Sequence, residues 1–220
     1  MSNLIERLAY CVEHGKINKV SPYPPGMKGE DGADELTVQA LQEGIPPQDL
    51  LSKAFEVGME RVGKKFAENK VFVPQLLMSA KAMTTAMEHL KPFFMAGDVK
   101  RKGVFLVGTV KGDLHDIGKN LLAMMVEGNG WEVIDLGVDV GVDRIMEQLE
   151  KHHGASVGMS ALLTTTMVNM EGAVKEIKEK YPETKILVGG APLTIDYCRK
   201  IGADFYSPDP QGAVEYLNSL

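Results

Sequence analysis

The chain has 220 residues, 44% of them hydrophobic, and a formal net charge of −6 from 24 Lys and Arg against 30 Asp and Glu. That length holds one large or two small globular domains, and the acidic balance leaves no basic footprint for nucleic acid or an anionic membrane. No apolar run approaches the roughly 20 residues of a membrane span. The start, Met1-Ser2-Asn3-Leu4-Ile5-Glu6, lacks the regions of a secretory signal, while Cys11 and Cys198 lie far apart and in no metal-ligand spacing. A cytoplasmic protein with reduced thiols is expected.

Residues 3–14 place Leu4, Leu8, Cys11 and Val12 on one helical face that ends near Gly15. The proline- and glycine-rich stretch Ser21-Pro22-Tyr23-Pro24-Pro25-Gly26 through Gly32 predicts a surface loop without regular structure. Helical periodicity resumes with Leu36, Ala40 and Leu41, then after Pro46-Pro47 with Leu50, Leu51, Ala54, Val57 and Val62. A fourth helix is predicted from Val73, where Leu76, Leu77, Ala80, Met83, Met87, Leu90 and Phe94 recur at intervals of three and four. Residues 1–95 therefore read as a helical bundle.

The polar stretch Ala96–Gly103 marks a boundary, and residues 101–220 alternate strand and helix. Val104–Val107, Glu132–Leu136, Val157–Met159, Ile186–Val188 and Phe205-Tyr206 are the predicted strands. Right-handed crossovers between them make a doubly wound parallel five-stranded sheet of flavodoxin-like order, so the fold class is α/β with a helical domain in front.

After the first of these strands comes Gly108-Thr109-Val110-Lys111-Gly112-Asp113-Leu114-His115-Asp116-Ile117-Gly118-Lys119-Asn120. As a strand-to-helix loop it lies at the carboxyl edge of the sheet, where ligands of such folds sit. In an extended loop residues two apart point the same way, so Asp113 can hold one nitrogen of the His115 imidazole and leave the other free. An imidazole oriented in that way suits a metal ligand.

The phrase Asp113-x-His115-Asp116-x-Gly118-Lys119-Asn120 resembles the cobalamin-binding loop of methionine synthase and of the small corrinoid proteins of methanogens and acetogens. In those families the histidine replaces the cofactor's own lower base on cobalt. The resemblance thus implies cobalamin or a related corrinoid, with His115 on the metal and Gly112, Asp113, Leu114, Asp116 and Gly118 around it. Ser160-Ala161-Leu162-Leu163-Thr164-Thr165-Thr166 ends the third strand at the same edge, where capping of the next helix would be its ordinary task. By resemblance, Ser160 and Thr164 line the slot for the nucleotide tail, Leu162 between them belongs to the cofactor-binding set, and Thr166 completes an Asp113-His115-hydroxyl chain expected to be catalytic and to store a proton. Methionine synthase has serine at that last position, so Thr166 departs from it by a methyl group. Paired Gly189 and Gly190 match the contact with the lower base, where missing side chains would admit a planar group. Phe66 and Val73 fall on two positions of the cap that covers the upper corrin face, whereas the position of a cofactor-contacting glutamate is Ser52. His152-His153 has no third ligand nearby and reads as a solvated helix end.

The resemblance covers both halves and departs mainly in the loop 18–33. It implies a methyl carrier of a multi-component methyltransferase system, loaded on Co(I) by one enzyme and unloaded from methyl-Co(III) by another. The implied partners are a substrate-specific methyltransferase, a corrinoid-to-acceptor methyltransferase and a reductive activase. Methylamines, glycine betaine, methanol and methoxylated aromatics are all candidate donors, and the carrier is not expected to turn over alone. The alternative is a cobalamin-dependent sensor or regulator, which would append a DNA-binding domain that this acidic chain does not show.

Overall fold

The computed structural model describes residues 2–220, and the chain divides into two units. One gathers the chain up to Arg101 with Gly128–Gly130, and the other is formed by Lys102–Glu127 and Trp131–Leu220.

The first unit is all-helical. Helix α1 (Ser2–His14) is followed by α2 (Ala33–Gln42), then by α3 (Pro47–Leu50), which passes through a π-helical turn at Leu51–Phe55 directly into α4 (Glu56–Ala67). Two more helices complete it, α5 (Val73–Glu88) and α6 (Lys91–Ala96). Leu8, Leu36, Leu50, Leu76 and Met83 of the apolar stripes read from the sequence are buried, as are Phe55 and Met59 beside them, whereas Leu77 of the fourth stripe is 41% exposed. Helices α1 and α4 approach backbone to backbone, since a Cβ at Gly58 would come within 2.6 Å of the Ala9 carbonyl oxygen. The predicted fourth helix is in fact two, broken at His89-Leu90. Pro92 lies in the first turn of α6; its ring would collide with the carbonyl four residues back, so α5 ends at Glu88. The loop before α2 has only a 3-10 turn at Pro25–Met27, as its prolines and glycines require. The buried Lys16 Nζ donates to the Ser21 carbonyl at 3.1 Å, and the Glu35 carboxylate accepts the Lys19 and Gly32 N–H groups at 2.9 Å each.

The second unit is a parallel sheet in the order β2-β1-β3-β4-β5, the flavodoxin-like order expected. Its strands are β1 (Val104–Val110), β2 (Glu132–Val140), β3 (Ser156–Ser160), β4 (Ile186–Gly189) and β5 (Phe205–Tyr206). Helices α7 (Ile117–Gly128), α8 (Val142–Lys151), α9 (Met167–Lys180), α10 (Ile195–Ile201) and α11 (Pro210–Asn218) alternate with them. Leu106, Val157, Ile186 and Val188 from the strands pack with Ile145, Met170, Val174 and Ile177 from the helices in one buried core. Strand β2 runs four residues past its predicted end at Leu136. Between the pairs Val104↔Glu132 and Val110↔Val140 it takes eight steps to six on β1, so it absorbs two irregularities against that strand. Gly137 and Asp139 carry positive φ there, at 87° and 54°.

Candidate functional site

The loop between β1 and α7 is organised by one carboxylate. Asp113 is fully buried, and both of its oxygens serve only as acceptors. Oδ1 takes the His115 backbone N–H at 3.1 Å and ring Nδ1 at 2.9 Å. Oδ2 takes the Leu162 N–H at 2.8 Å, the Leu163 N–H at 3.2 Å and the Thr166 hydroxyl at 2.8 Å. Burial alone would raise the Asp113 pKa. The bonds from Leu162, from the His115 ring and N–H and from Thr166 outweigh it and hold the carboxyl well below the ordinary range. Because an ionised carboxylate cannot donate, the proton of the neutral imidazole sits on Nδ1, which leaves the Nε2 lone pair without a partner among the described residues. The His115 side chain is 52% exposed, with Leu114 and Ile117 standing out to either side at 72% and 74%.

Thr166 is the N-cap residue of α9, yet its side chain makes no capping bond and turns to Asp113 instead. Asp116 does the work of starting α7, accepting the Asn120 backbone N–H on its carbonyl at 2.7 Å and the Asn120 side-chain amide at 3.1 Å. Three supports of this loop were not found from sequence. The Thr109 hydroxyl donates to the His115 carbonyl at 2.7 Å. Asp139 accepts the Gly112 N–H at 2.7 Å, and its own N–H donates to the Asp113 carbonyl at 3.0 Å. Lys119, buried at 3% exposure, reaches Asp135 on β2. A polar residue inside an apolar strand was the available signal for Thr109; no local pattern announces Asp139.

Beside this loop lies a cavity of about 380 Å3. It is lined by Gly118, Lys119 and Leu122 of α7, Met159 and Ser160 of β3, Gly189 and Gly190 at the end of β4, and Tyr206 through Pro210. Gly190 is needed there for a reason other than room for a ligand. Its φ is 134°, and a Cβ would meet the Ala161 carbonyl oxygen at 1.8 Å, so the loops after β3 and β4 cross at that point. Thr164 is exposed on the loop after β3 and outside the cavity lining; Leu162, 40% exposed, follows β3 beside Asp113.

A B12 binding domain model matches residues 103–214, about half of the chain, and a second B12 binding domain model matches residues 29–91. Trimethylamine corrinoid protein 1 of Methanosarcina acetivorans is 37% identical over 195 residues, 87% of this chain and 90% of that one. The chain belongs to the B12-binding corrinoid proteins. Among solved structures, the methanol:cobalamin methyltransferase complex MtaBC from Methanosarcina barkeri matches with a TM-score of 0.83 at 27% identity, covering 99% of this chain and 79% of that chain. A cobalamin-binding protein from Desulfitobacterium hafniense matches with a TM-score of 0.76 at 28% identity, over 98% of this chain and 97% of that one.

A corrinoid suits the groups present. An imidazole nitrogen with a free lone pair is a donor cobalt accepts, its other nitrogen is held by a carboxylate, and the neighbouring cavity has the largely apolar lining that suits an aromatic base. Phe66 and Val73 belong to the helical unit, where they flank the turn from Glu68 to Phe72, both half-buried, with Phe72 itself 62% exposed. Among the described residues no group of three or more His, Cys, Asp and Glu side chains is placed to hold a metal ion, and His152 lies at the end of α8.

Proposed function

We propose that this corrinoid protein is a methyl carrier, with His115 as the lower cobalt ligand. The observation that carries the reading is the buried Asp113 carboxylate, which holds the Nδ1 side of the half-exposed imidazole and leaves Nε2 free in the loop beside the cavity. When bound, the corrinoid would supply the metal centre that takes up and gives away the methyl group. Asp113 and Thr166 orient the imidazole and keep its proton on Nδ1. Ser160, Gly189 and Gly190 would receive the nucleotide tail, with Leu162 and Thr164 at the loop edge, and Gly112, Leu114, Asp116 and Gly118 would meet the corrin around His115. Phe66 and Val73 of the helical unit would supply apolar cover for the cofactor. Relatives named for trimethylamine, dimethylamine and monomethylamine support a methylated amine as the donor, recognised by a separate methyltransferase, with an acceptor methyltransferase and a reductive activase as the other partners. The carrier is placed in the cytoplasm; no described helix is long and apolar enough to cross a membrane.

Reconstitution with cobalamin tests the assignment. Spin-resonance spectra of the Co(II) state are expected to show coupling to a single protein nitrogen, lost in His115→Ala. Coupling that survives the substitution would remove His115 as ligand. Methylation of the reduced protein by trimethylamine should require an added methyltransferase, and fast saturating methylation without one would overturn the carrier reading.

A further inference from the structure

The direction of the His115 Nε2 is fixed only when the backbone on both sides of that residue and its side-chain torsions are fixed. Asp113 supplies two of these constraints from one oxygen, taking the His115 N–H at 3.1 Å, which holds the preceding peptide, and Nδ1 at 2.9 Å, which sets the ring. Neither bond restrains the peptide that follows, and rotation about the Cα–C bond there leads into Ile117 and the start of α7. The following peptide is held by its carbonyl, which accepts the Thr109 hydroxyl at 2.7 Å. Thr109 is well placed to give that bond. It is fully buried, lies next to last in β1, and is aligned with Ser160 of β3, so its backbone is fixed by the sheet rather than by the loop it supports. Its branched side chain has few rotamers to choose among, so little entropy is lost in aiming the hydroxyl. Val110 then ends the strand and passes into the loop, with its carbonyl taking the Asp113 N–H at 3.0 Å.

We infer that Thr109 is a positioning residue for metal ligation: its hydroxyl pins the carbonyl of His115 and so completes the set of bonds that aims Nε2. The inference rests on the reading of His115 as the cobalt ligand. Asp113, three residues beyond the end of β1, then holds the ring and the preceding peptide, and Thr109, within β1, holds the peptide that follows. Thr109→Val keeps shape and volume while removing only the hydroxyl. Thr109→Ser restores it, and Thr109→Ala removes it while leaving space for a water, which protects the test against a fold-level failure of the valine variant.

Two measurements read the result. In the apo protein, hydrogen exchange of the peptide spanning residues 111–117 should quicken by about fivefold to tenfold in Thr109→Val and Thr109→Ala, the scale of one lost hydrogen bond, and return to the wild-type rate in Thr109→Ser. In the cobalamin-loaded Co(II) protein, a fraction of molecules lacking nitrogen coupling should appear in the valine and alanine variants and be absent in the serine variant. Wild-type exchange together with full nitrogen coupling in Thr109→Val would overturn the inference alone. A wild-type protein without nitrogen coupling would overturn the ligand reading and this inference with it.

Discussion

Replacing Asp113 by Asn alters one atom at the point where the site is most constrained. All five groups facing the carboxylate donate to it. An amide nitrogen placed at Oδ2 would meet the Leu162 and Leu163 N–H groups, and neither can reverse. Thr166 could, because its hydroxyl also lies 2.8 Å from the Leu163 carbonyl and can turn its proton there. Placed at Oδ1, the amide orphans one backbone N–H, that of His115, while the ring can change tautomer and accept at Nδ1. The second orientation leaves fewer orphans and should prevail. One unsatisfied backbone donor and weaker bonds to a neutral acceptor cost about 2 kcal/mol, or roughly 1 M in the urea midpoint of the apo protein. The tautomer change moves the ring proton to Nε2, the atom needed for cobalt, so nitrogen coupling in the Co(II) state should fall sharply although the fold is kept.

The pH dependence has a definite sign. The Asp113 pKa is lower folded than unfolded, so its stabilisation is complete above the ordinary value near 3.8 and is lost as pH falls from there toward the depressed folded-state value. The gap between wild type and Asp113→Asn should therefore be constant from pH 6 to pH 8 and shrink on acidification below about pH 4. Equal urea midpoints at pH 7 together with unchanged coupling would show that the carboxylate's charge is not what holds the loop.

Gly190→Ala should destabilise the protein by about 3 kcal/mol or more, since its Cβ would lie 1.8 Å from the Ala161 oxygen at a left-handed φ of 134°. Gly172→Ala, in α9 with open space around it, should instead stabilise by about 0.5–1 kcal/mol, so urea titration of the pair separates steric crossing from general loss of glycine. Phe55→Ala removes a fully buried ring from the bundle and should cost about 3–5 kcal/mol, lowering Tm by about 10 °C. Burial pushes the Cys11 thiol up to about 11, so iodoacetamide at pH 8 should leave it unmodified until urea is added, as mass spectrometry of the 1–16 peptide would report.

Much of the architecture could be read locally. Apolar spacing of three and four marked α1, α4 and α5, and short apolar runs marked β1, β3 and β4, because each element must bury an apolar face whatever its neighbours are. The Asp113 and His115 contact was legible too, since it spans two residues and depends on backbone geometry alone. Pro92 carried the break between α5 and α6, but a stripe that continues to Phe94 masked it.

The remainder belongs to pairs the chain brings together from afar. Thr166 reaches Asp113 across 53 residues, and only the packing of the α9 start against the β1 edge tells that hydroxyl from a helix cap. The extra length of β2 and the left-handed Asp139 arise from its misregister with β1, which no pattern within β2 encodes. Gly190 reads as a turn in sequence and is required because another strand's loop crosses over it. Local periodicity determines which residues face inward; which polar groups meet at the sheet edge is decided by register and crossover, because those place residues from separate strands within hydrogen-bond reach.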